Sequence, residues 1–292
     1  MLITIMLTLL PIGFLAALVG IGGGTIVVPL LTLVFHVDIK EAIAAGSVTV
    51  VATGVTSASR YLKQGLTNVR LGIFLNTSTV LGAIMGALFT LTAPPTVLYF
   101  AMSVLLLYVG INQITTSKGE VARIERGSFA KVKGDRLARL LRLSSSYYDK
   151  ASEREVTYNV TRTPMGLLAS VFAGLLSGML GIGGGVLKVP IMNLVMNVPM
   201  KVAVATSKFM IGMTAATAAC IYIEAGRVNP LIVAPTVLGI STGAFLGTKV
   251  MNRVRADRLK VIFGAVMMYI GYLMLARAIY AATGIELPGC LR

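Results

Sequence analysis

The sequence predicts an all-α polytopic membrane protein of two inverted-topology repeats, each a glycine-broken re-entrant or paired helix followed by three transmembrane helices. Composition, an internal duplication and the placement of charge carry that reading. With 56% hydrophobic and 13% charged residues in 292 and a mean hydropathy of +0.85, the chain has more apolar surface than a soluble core hides. Gly-Ile-Gly-Gly-Gly occurs at Gly20 to Gly24 and again at Gly181 to Gly185, and a proline follows each copy, Pro29 and Pro190. An offset of 161 then pairs Lys40 with Lys201, Thr53 with Thr214, Tyr61 with Tyr222, Gly65 with Gly226, Asn68 with Asn229, Gly82 with Gly243 and Gly86 with Gly247, without a gap.

Apolar runs long enough to cross about 30 Å of hydrocarbon lie at residues 42–59, 71–92, 97–114, 202–221, 230–248 and 261–283. Residues 2–35 and 165–196 form two longer runs broken by the glycines. Because residues 20–35 match 181–196, the N-terminal run is expected to belong to the fold rather than to a cleaved leader. The expected organisation is a first transmembrane repeat over 1–117, a basic connector over 118–163 and a second repeat over 164–292.

The net charge is +15, and its location decides its meaning. Residues 60–70 contribute three charges, 249–260 four and 118–162 five, so three loops supply twelve of the fifteen. Cytoplasmic loops collect Lys and Arg, and no nucleic-acid-binding motif accompanies the excess. In the first half the loop at 60–70 is basic and the loop at 93–96 uncharged. In the second half residues 222–229 hold only the balancing pair Glu224 and Arg227, while 249–260 is basic. If basic means inside, the halves point in opposite directions, and each glycine-broken run starts and finishes on one side. The expected placement is the inner (cytoplasmic) membrane with a cytoplasmic connector and both termini outside. Arg277 and Arg292, near the C-terminus, stand against it, and a single broken spanning helix would make the repeats parallel.

Glycine permits left-handed backbone and close approach to main-chain N–H groups, and non-helical backbone survives at membrane depth only where it lines a cavity or is buried in protein. The segments from Thr25 and Val186 read as short helices starting at the glycines, and such N-termini favour anions. Inverted repeats with discontinuous helices meeting near the midplane are a transporter architecture. The competing reading is that these glycines only allow tight packing, as expected of Gly82 and Gly86 or Gly243 and Gly247. A dinucleotide fingerprint is excluded, because Thr25 stands where its last glycine belongs and no βαβ unit surrounds it.

The two segments Gly-Ile-Gly-Gly-Gly-Thr-Ile-Val-Val-Pro and Gly-Ile-Gly-Gly-Gly-Val-Leu-Lys-Val-Pro, with Val202-Ala203-Val204-Ala205-Thr206-Ser207, resemble the TauE/SafE sulfite exporter family. The likeness spans nearly the whole chain except residues 118–162. It implies movement of sulfite, sulfonates or related organosulfur anions across the cytoplasmic membrane, with a small sulfur-containing anion and membrane lipid as partners and homodimerisation open. No cofactor, metal or nucleic acid is expected.

Ionisable residues inside a span are costly and mark transport paths. Lys188 follows Gly185 by three residues and replaces Val27 of the first half; Lys208 lies in the span 202–221 and replaces Ser47. Both break the repeat toward positive charge, against the alternative that they snorkel to the interface. The candidate substrate-binding set is Gly22, Gly23, Gly24 and Thr25 at the first turn, Gly183, Gly184, Gly185, Lys188 and Asn193 at the second, with Ser47, Thr206, Ser207 and Lys208. Thr49 and Thr53 rank lower, since hydroxyls in membrane helices more often bond their own backbone. The spans hold no Asp or Glu, so no carboxylate proton relay is visible. An anion leaving a negative interior gains about 2.3 kcal/mol per charge per 100 mV.

In the connector, Asp135 followed by Arg136 to Leu143 reads as a capped basic amphipathic helix on anionic lipid, and residues 155–161 alternate as a strand. A solvated spacer is the default expectation for the rest, with a partner-binding scaffold as the alternative function. Asn159-Val160-Thr161 matches a glycosylation acceptor without consequence on a cytoplasmic segment. Cys220 and Cys290 do not suggest a disulfide, and His36 lacks metal-binding company. Nothing resembles a nucleophile with its base, so no enzyme is expected.

Overall fold

The structure, a computed structural model, describes residues 2–19, 24–115, 132, 134–149, 154–250 and 256–285. The first repeat contains α1 (Leu2–Val19), α2 (Gly24–Leu33), α3 (Ile39–Lys63), α4 (Val69–Thr92) and α5 (Pro95–Thr115). The connector holds α6 (Arg136–Leu140) and a hairpin of β1 (Ser145–Asp149) and β2 (Arg154–Tyr158), paired antiparallel. The second repeat contains α7 (Thr163–Leu180), α8 (Gly185–Pro190), α9 (Met200–Glu224), α10 (Pro230–Val250) and α11 (Ala256–Thr283). Among the described residues, six helices are long and apolar enough to cross a membrane. The protein is an all-α, multi-pass membrane protein.

On α4 the buried face carries Asn76, Thr79, Gly82, Gly86 and Thr90, while Ile73, Leu81, Met85 and Leu88 are exposed. Lipid tails are as apolar as leucine, so close backbone packing and interhelical hydrogen bonds, not leucine burial, hold such helices together. The glycines set that packing. A β-carbon on Gly82 would strike the Val171 carbonyl and one on Gly86 the Leu175 carbonyl, both on α7. The repeat reproduces this contact, since a β-carbon on Gly243 of α10 would strike the Leu10 carbonyl of α1. The packed pairs α1 with α10 and α4 with α7 therefore exchange under the 161 offset, while α3 packs on α9 and α5 on α11.

Each repeat also preserves its turns. His36 and Asn197, one offset apart, both adopt left-handed backbone, at φ 51° and 58°. The Val37 amide donates to the Leu31 carbonyl at 3.0 Å and the Val198 amide to the Met192 carbonyl at 2.9 Å. Pro190 brings no N–H to the end of α8, and a π-turn (Ile191–Val195) comes directly after it. The run then returns to its origin. The Thr161 amide donates to the Met196 carbonyl at 3.1 Å, and Asn197 Nδ2 donates to the Asn159 carbonyl at 3.2 Å. Residues 196 and 197 thus lie beside residues 159–161, which lead into α7.

Of the two arginines whose charge bears on sidedness in the sequence, Arg277 serves an internal contact. Arg277 donates to the Thr32 carbonyl in the last turn of α2 at 3.3 Å and lies 5.9 Å from the centre of the Tyr99 ring. Its charge therefore offsets the negative end of a helix dipole, which weakens it as a sign of sidedness. Arg292 lies outside the described residues.

The described part of the connector is docked rather than solvated. Tyr147, Val156, Tyr158 and Val160 share a buried apolar cluster with Leu71, Met192, Met196 and Val202 of the membrane helices. Asn68 caps α4 by accepting the Leu71 amide at 3.0 Å, and its Nδ2 donates to the Leu143 carbonyl at 2.7 Å and the Tyr158 hydroxyl at 2.8 Å. Asp135 caps α6 through the Ala138 amide at 2.7 Å and accepts the Thr163 amide and hydroxyl at 2.6 and 2.8 Å. The helix is shorter than expected, five residues, because Leu141 and Arg142 turn back to place Leu143 inside. The strand spans 154–158, starting one residue before and ending three residues before the expected 155–161, and it pairs with β1, which was not expected.

Candidate substrate site

The second glycine turn begins where the Gly181 amide closes α7 on the Ser177 carbonyl at 3.0 Å. Gly181, Gly183 and Gly184 are left-handed, at φ 67°, 75° and 66°, which strains any side chain placed there. Space is equally closed, since a β-carbon on Gly183 would strike the Val50 side chain and one on Gly181 the Ile43 carbonyl. Gly24, the last residue of the first glycine cluster, comes up against the second turn here. A β-carbon on Gly24, the first residue of α2, would stand 3.1 Å from the Gly181 carbonyl oxygen and 3.3 Å from Ile182 Cα. Gly22 and Gly23 lie outside the described residues, and Thr25 is buried behind Gly24.

The first turn of α8 closes when the Leu187 and Lys188 amides donate to the Gly184 carbonyl at 3.2 and 3.0 Å. That places the Lys188 side chain, 1% exposed, across to α9, where Nζ donates to Thr214 Oγ1 at 2.7 Å. Thr214 Oγ1 lies 3.1 Å from Asn76 Oδ1 and 3.0 Å from the Met210 carbonyl, one of which takes its proton. Thr79 Oγ1, 3.4 Å from Thr214 Oγ1, lies 3.2 Å from the same Asn76 oxygen. Ser207 joins the turn by donating to the Gly185 carbonyl at 3.4 Å. Lys208, 9% exposed, makes no hydrogen bond among the described residues.

Other candidates have structural duties. Ser47, Thr49 and Thr53 donate to carbonyls of their own helix, at Ile43, Ala45 and Thr49. Thr206 Oγ1 accepts the Asn68 amide at 3.1 Å, and Asn193 Nδ2 donates to the Val198 carbonyl at 2.9 Å, stapling the π-turn. Asn76 and Thr79 escaped the sequence reading. The available signal was an amide in the middle of an apolar span, since Asn76 is the sole Asn or Gln between residues 71 and 92. No cluster of three His, Cys, Asp or Glu suited to a metal occurs among the described residues. Cys220 is an exposed free thiol, and Cys290 lies outside the described residues.

Long apolar helices packed around the second glycine turn and a buried polar centre define a multi-pass membrane protein. The chain belongs to the TauE/SafE sulfite exporter family, whose model matches residues 5–274. It is similar to the "Probable membrane transporter protein YunE" of Bacillus subtilis, 27% identical over 92% of this chain and 95% of the relative. It also resembles the "Probable membrane transporter protein MJ0441" of Methanocaldococcus jannaschii, 25% identical over 90% and 91%, and a "Probable membrane transporter protein" of Haemophilus influenzae, 28% identical over 81% and 82%. No solved structure matches it.

Proposed function

We propose that the chain is a secondary transporter that exports sulfite, a sulfonate or a related organosulfur anion across the cytoplasmic membrane, by alternating access where the two glycine turns meet. One observation carries the reading. The ammonium of Lys188 is buried one helical turn from Gly184, its hydrogen-bond partner is a neutral hydroxyl, and the spans contain no Asp or Glu to balance it. An unbalanced buried charge costs several kcal/mol, and an anionic cargo supplies the missing charge. The family and its transporter relatives support passage of a solute. The loop charges, together with the contact of residues 196 and 197 with residues 159–161, support opposed halves.

Reconstituted vesicles loaded with sulfite, methanesulfonate, sulfate or oxalate test this. A negative interior should accelerate loss of a sulfur oxyanion, and Lys188→Met should abolish it. Efflux of oxalate alone would move the cargo to carboxylates. Absence of efflux for every anion would favour a scaffold acting through the connector.

A further inference from the structure

We propose that the chain carries one anion-recognition site rather than one per repeat, and that Asn76 and Thr79 of α4, with Thr214 of α9, complete it around Lys188. The proposal rests on the transport reading above and assigns the residues that recognise the cargo.

The first ground is a surplus of donors. A lysine ammonium has three N–H groups, and the hydrogen-bond acceptor of Lys188 among the described residues is Thr214 Oγ1. The Asn76 amide has two more, and Nδ2 faces Met213 Sδ at 3.7 Å, a weak acceptor. The one strong side-chain acceptor in the cluster, Asn76 Oδ1, is within reach of the Thr79 and Thr214 hydroxyls, each of which also reaches a carbonyl of its own helix, Asn76 at 3.1 Å and Met210 at 3.0 Å, so the surplus donors are those of Lys188 and Asn76. All four side chains are at least nine-tenths buried, at 1% exposure for Lys188, 9% for Asn76 and 0% for Thr79 and Thr214. Buried donors without acceptors are costly, and a group with several acceptor oxygens and a negative charge satisfies them together. Lys188 and Asn76 come from different repeats, so the anion bridges the two halves.

The second ground is the broken symmetry. The 161 offset carries Lys188, Asn76, Thr79 and Thr214 onto Val27, Val237, Ile240 and Thr53. Three of the four mirrored side chains have no polar atom, and Thr53 donates into its own helix at the Thr49 carbonyl, 3.1 Å away. The mirrored positions therefore offer no second set of donors.

The test is titration of the full-length chain in detergent with sodium sulfite, read by calorimetry and by thermal shift. The expected stoichiometry is one sulfite per chain. Asn76→Asp places a carboxylate against Thr214, the hydrogen-bond partner of Lys188, and should remove sulfite binding while the protein's own melting temperature holds or rises. Thr79→Val should weaken binding about tenfold, the scale of one lost hydrogen bond, with recovery in Thr79→Ser. Val237→Ala, at the mirrored position, should bind as the unaltered chain does. Two sulfites per chain would overturn the proposal. So would unaltered binding by Asn76→Asp and Thr79→Val while Lys188→Met abolishes it, a result that leaves the transport reading standing. Absence of binding by the unaltered chain in parallel titrations with sulfite and with methanesulfonate would overturn both.

Discussion

At the scale of the residue, Lys188 is held against the energetics of its surroundings. Replacing a buried charge by an apolar side chain of similar shape is often neutral or stabilising by about 1–4 kcal/mol, whereas removing its partner is destabilising. Lys188→Met is therefore expected to raise the melting temperature as it abolishes the sulfite response. Thr214→Val should lower stability by about 1–3 kcal/mol by leaving the ammonium without its acceptor. The two effects should not add, because Thr214→Val in the Lys188→Met background strands no charge. Thermal unfolding of the four combinations measures this coupling, and strict additivity would contradict the contact between Lys188 Nζ and Thr214 Oγ1. Lys188 was visible in the sequence because a lysine amid apolar residues contradicts its setting. Thr214 was visible only as the repeat partner of Thr53, since a threonine in a membrane helix looks the same whether it bonds its own backbone or a lysine.

At the scale of the element, glycines of two kinds separate. Gly226, at φ 66°, ends the turn after α9 with nothing within 4 Å of a β-carbon, so Gly226→Ala should cost only the left-handed strain of about 1–2 kcal/mol. Gly82 is helical, but a β-carbon there would strike the Val171 backbone of α7. Gly82→Ala should force the helices apart and cost more than Gly226→Ala, which the fraction of monodisperse protein recovered from membranes would measure. The connector responds to pH through two groups. Burial opposes ionisation of Asp135, yet the Ala138 and Thr163 amides, the Thr163 hydroxyl and nearby Arg139 together hold its carboxyl below the usual carboxylate range. A depressed folded pKa stabilises above the unfolded value, about 3.9 for Asp, and that contribution is lost as pH falls through the folded value. Burial pushes the Tyr158 hydroxyl up to about 12 against the hydrogen bonds to Asn68 and Ser145. Its contribution is therefore complete below the unfolded value of about 10 and is lost as pH rises toward 12. Asp135→Asn at neutral pH should speed amide exchange at Ala138 and Thr163 about tenfold, the scale of one weakened hydrogen bond, and tyrosinate absorbance should lose one late ionisation, near pH 12, in Tyr158→Phe.

At the scale of the whole molecule, opposed halves give a sharp expectation. In a background of Cys220→Ser and Cys290→Ser, which removes both native cysteines, single cysteines placed in loops 60–70 and 249–260 should react with an impermeant reagent from one side of the membrane, and those in 93–96 and 222–229 from the other. Reaction of loops 60–70 and 222–229 from the same side would make the repeats parallel. The driving force also belongs to this scale. At about 2.3 kcal/mol per charge per 100 mV, a monovalent anion should reach roughly a fiftyfold gradient across 100 mV, and efflux indifferent to an imposed potential would require a coupled ion.

The membrane class, the duplication and the glycine turns were determined by the sequence alone. Each is written in quantities a chain carries without folding: total apolar content, a constant spacing of 161, and a residue type that alone tolerates left-handed backbone in a crowded position. Partnership was decided only by the tertiary structure. Asn68 and Asn229 stand one repeat apart and both cap a helix, at Leu71 and Leu231, yet only Asn68 also receives the connector, through Tyr158 and Leu143. Thr206 and Asn193 looked like ligands from their neighbourhood in the chain and became fasteners, while Asn76, more than a hundred residues from Lys188, became the neighbour of its acceptor. The reason is physical. Periodicity and composition report what each residue tolerates, whereas a hydrogen bond across the bundle depends on which helix faces which, and the glycine contacts between backbones set those faces.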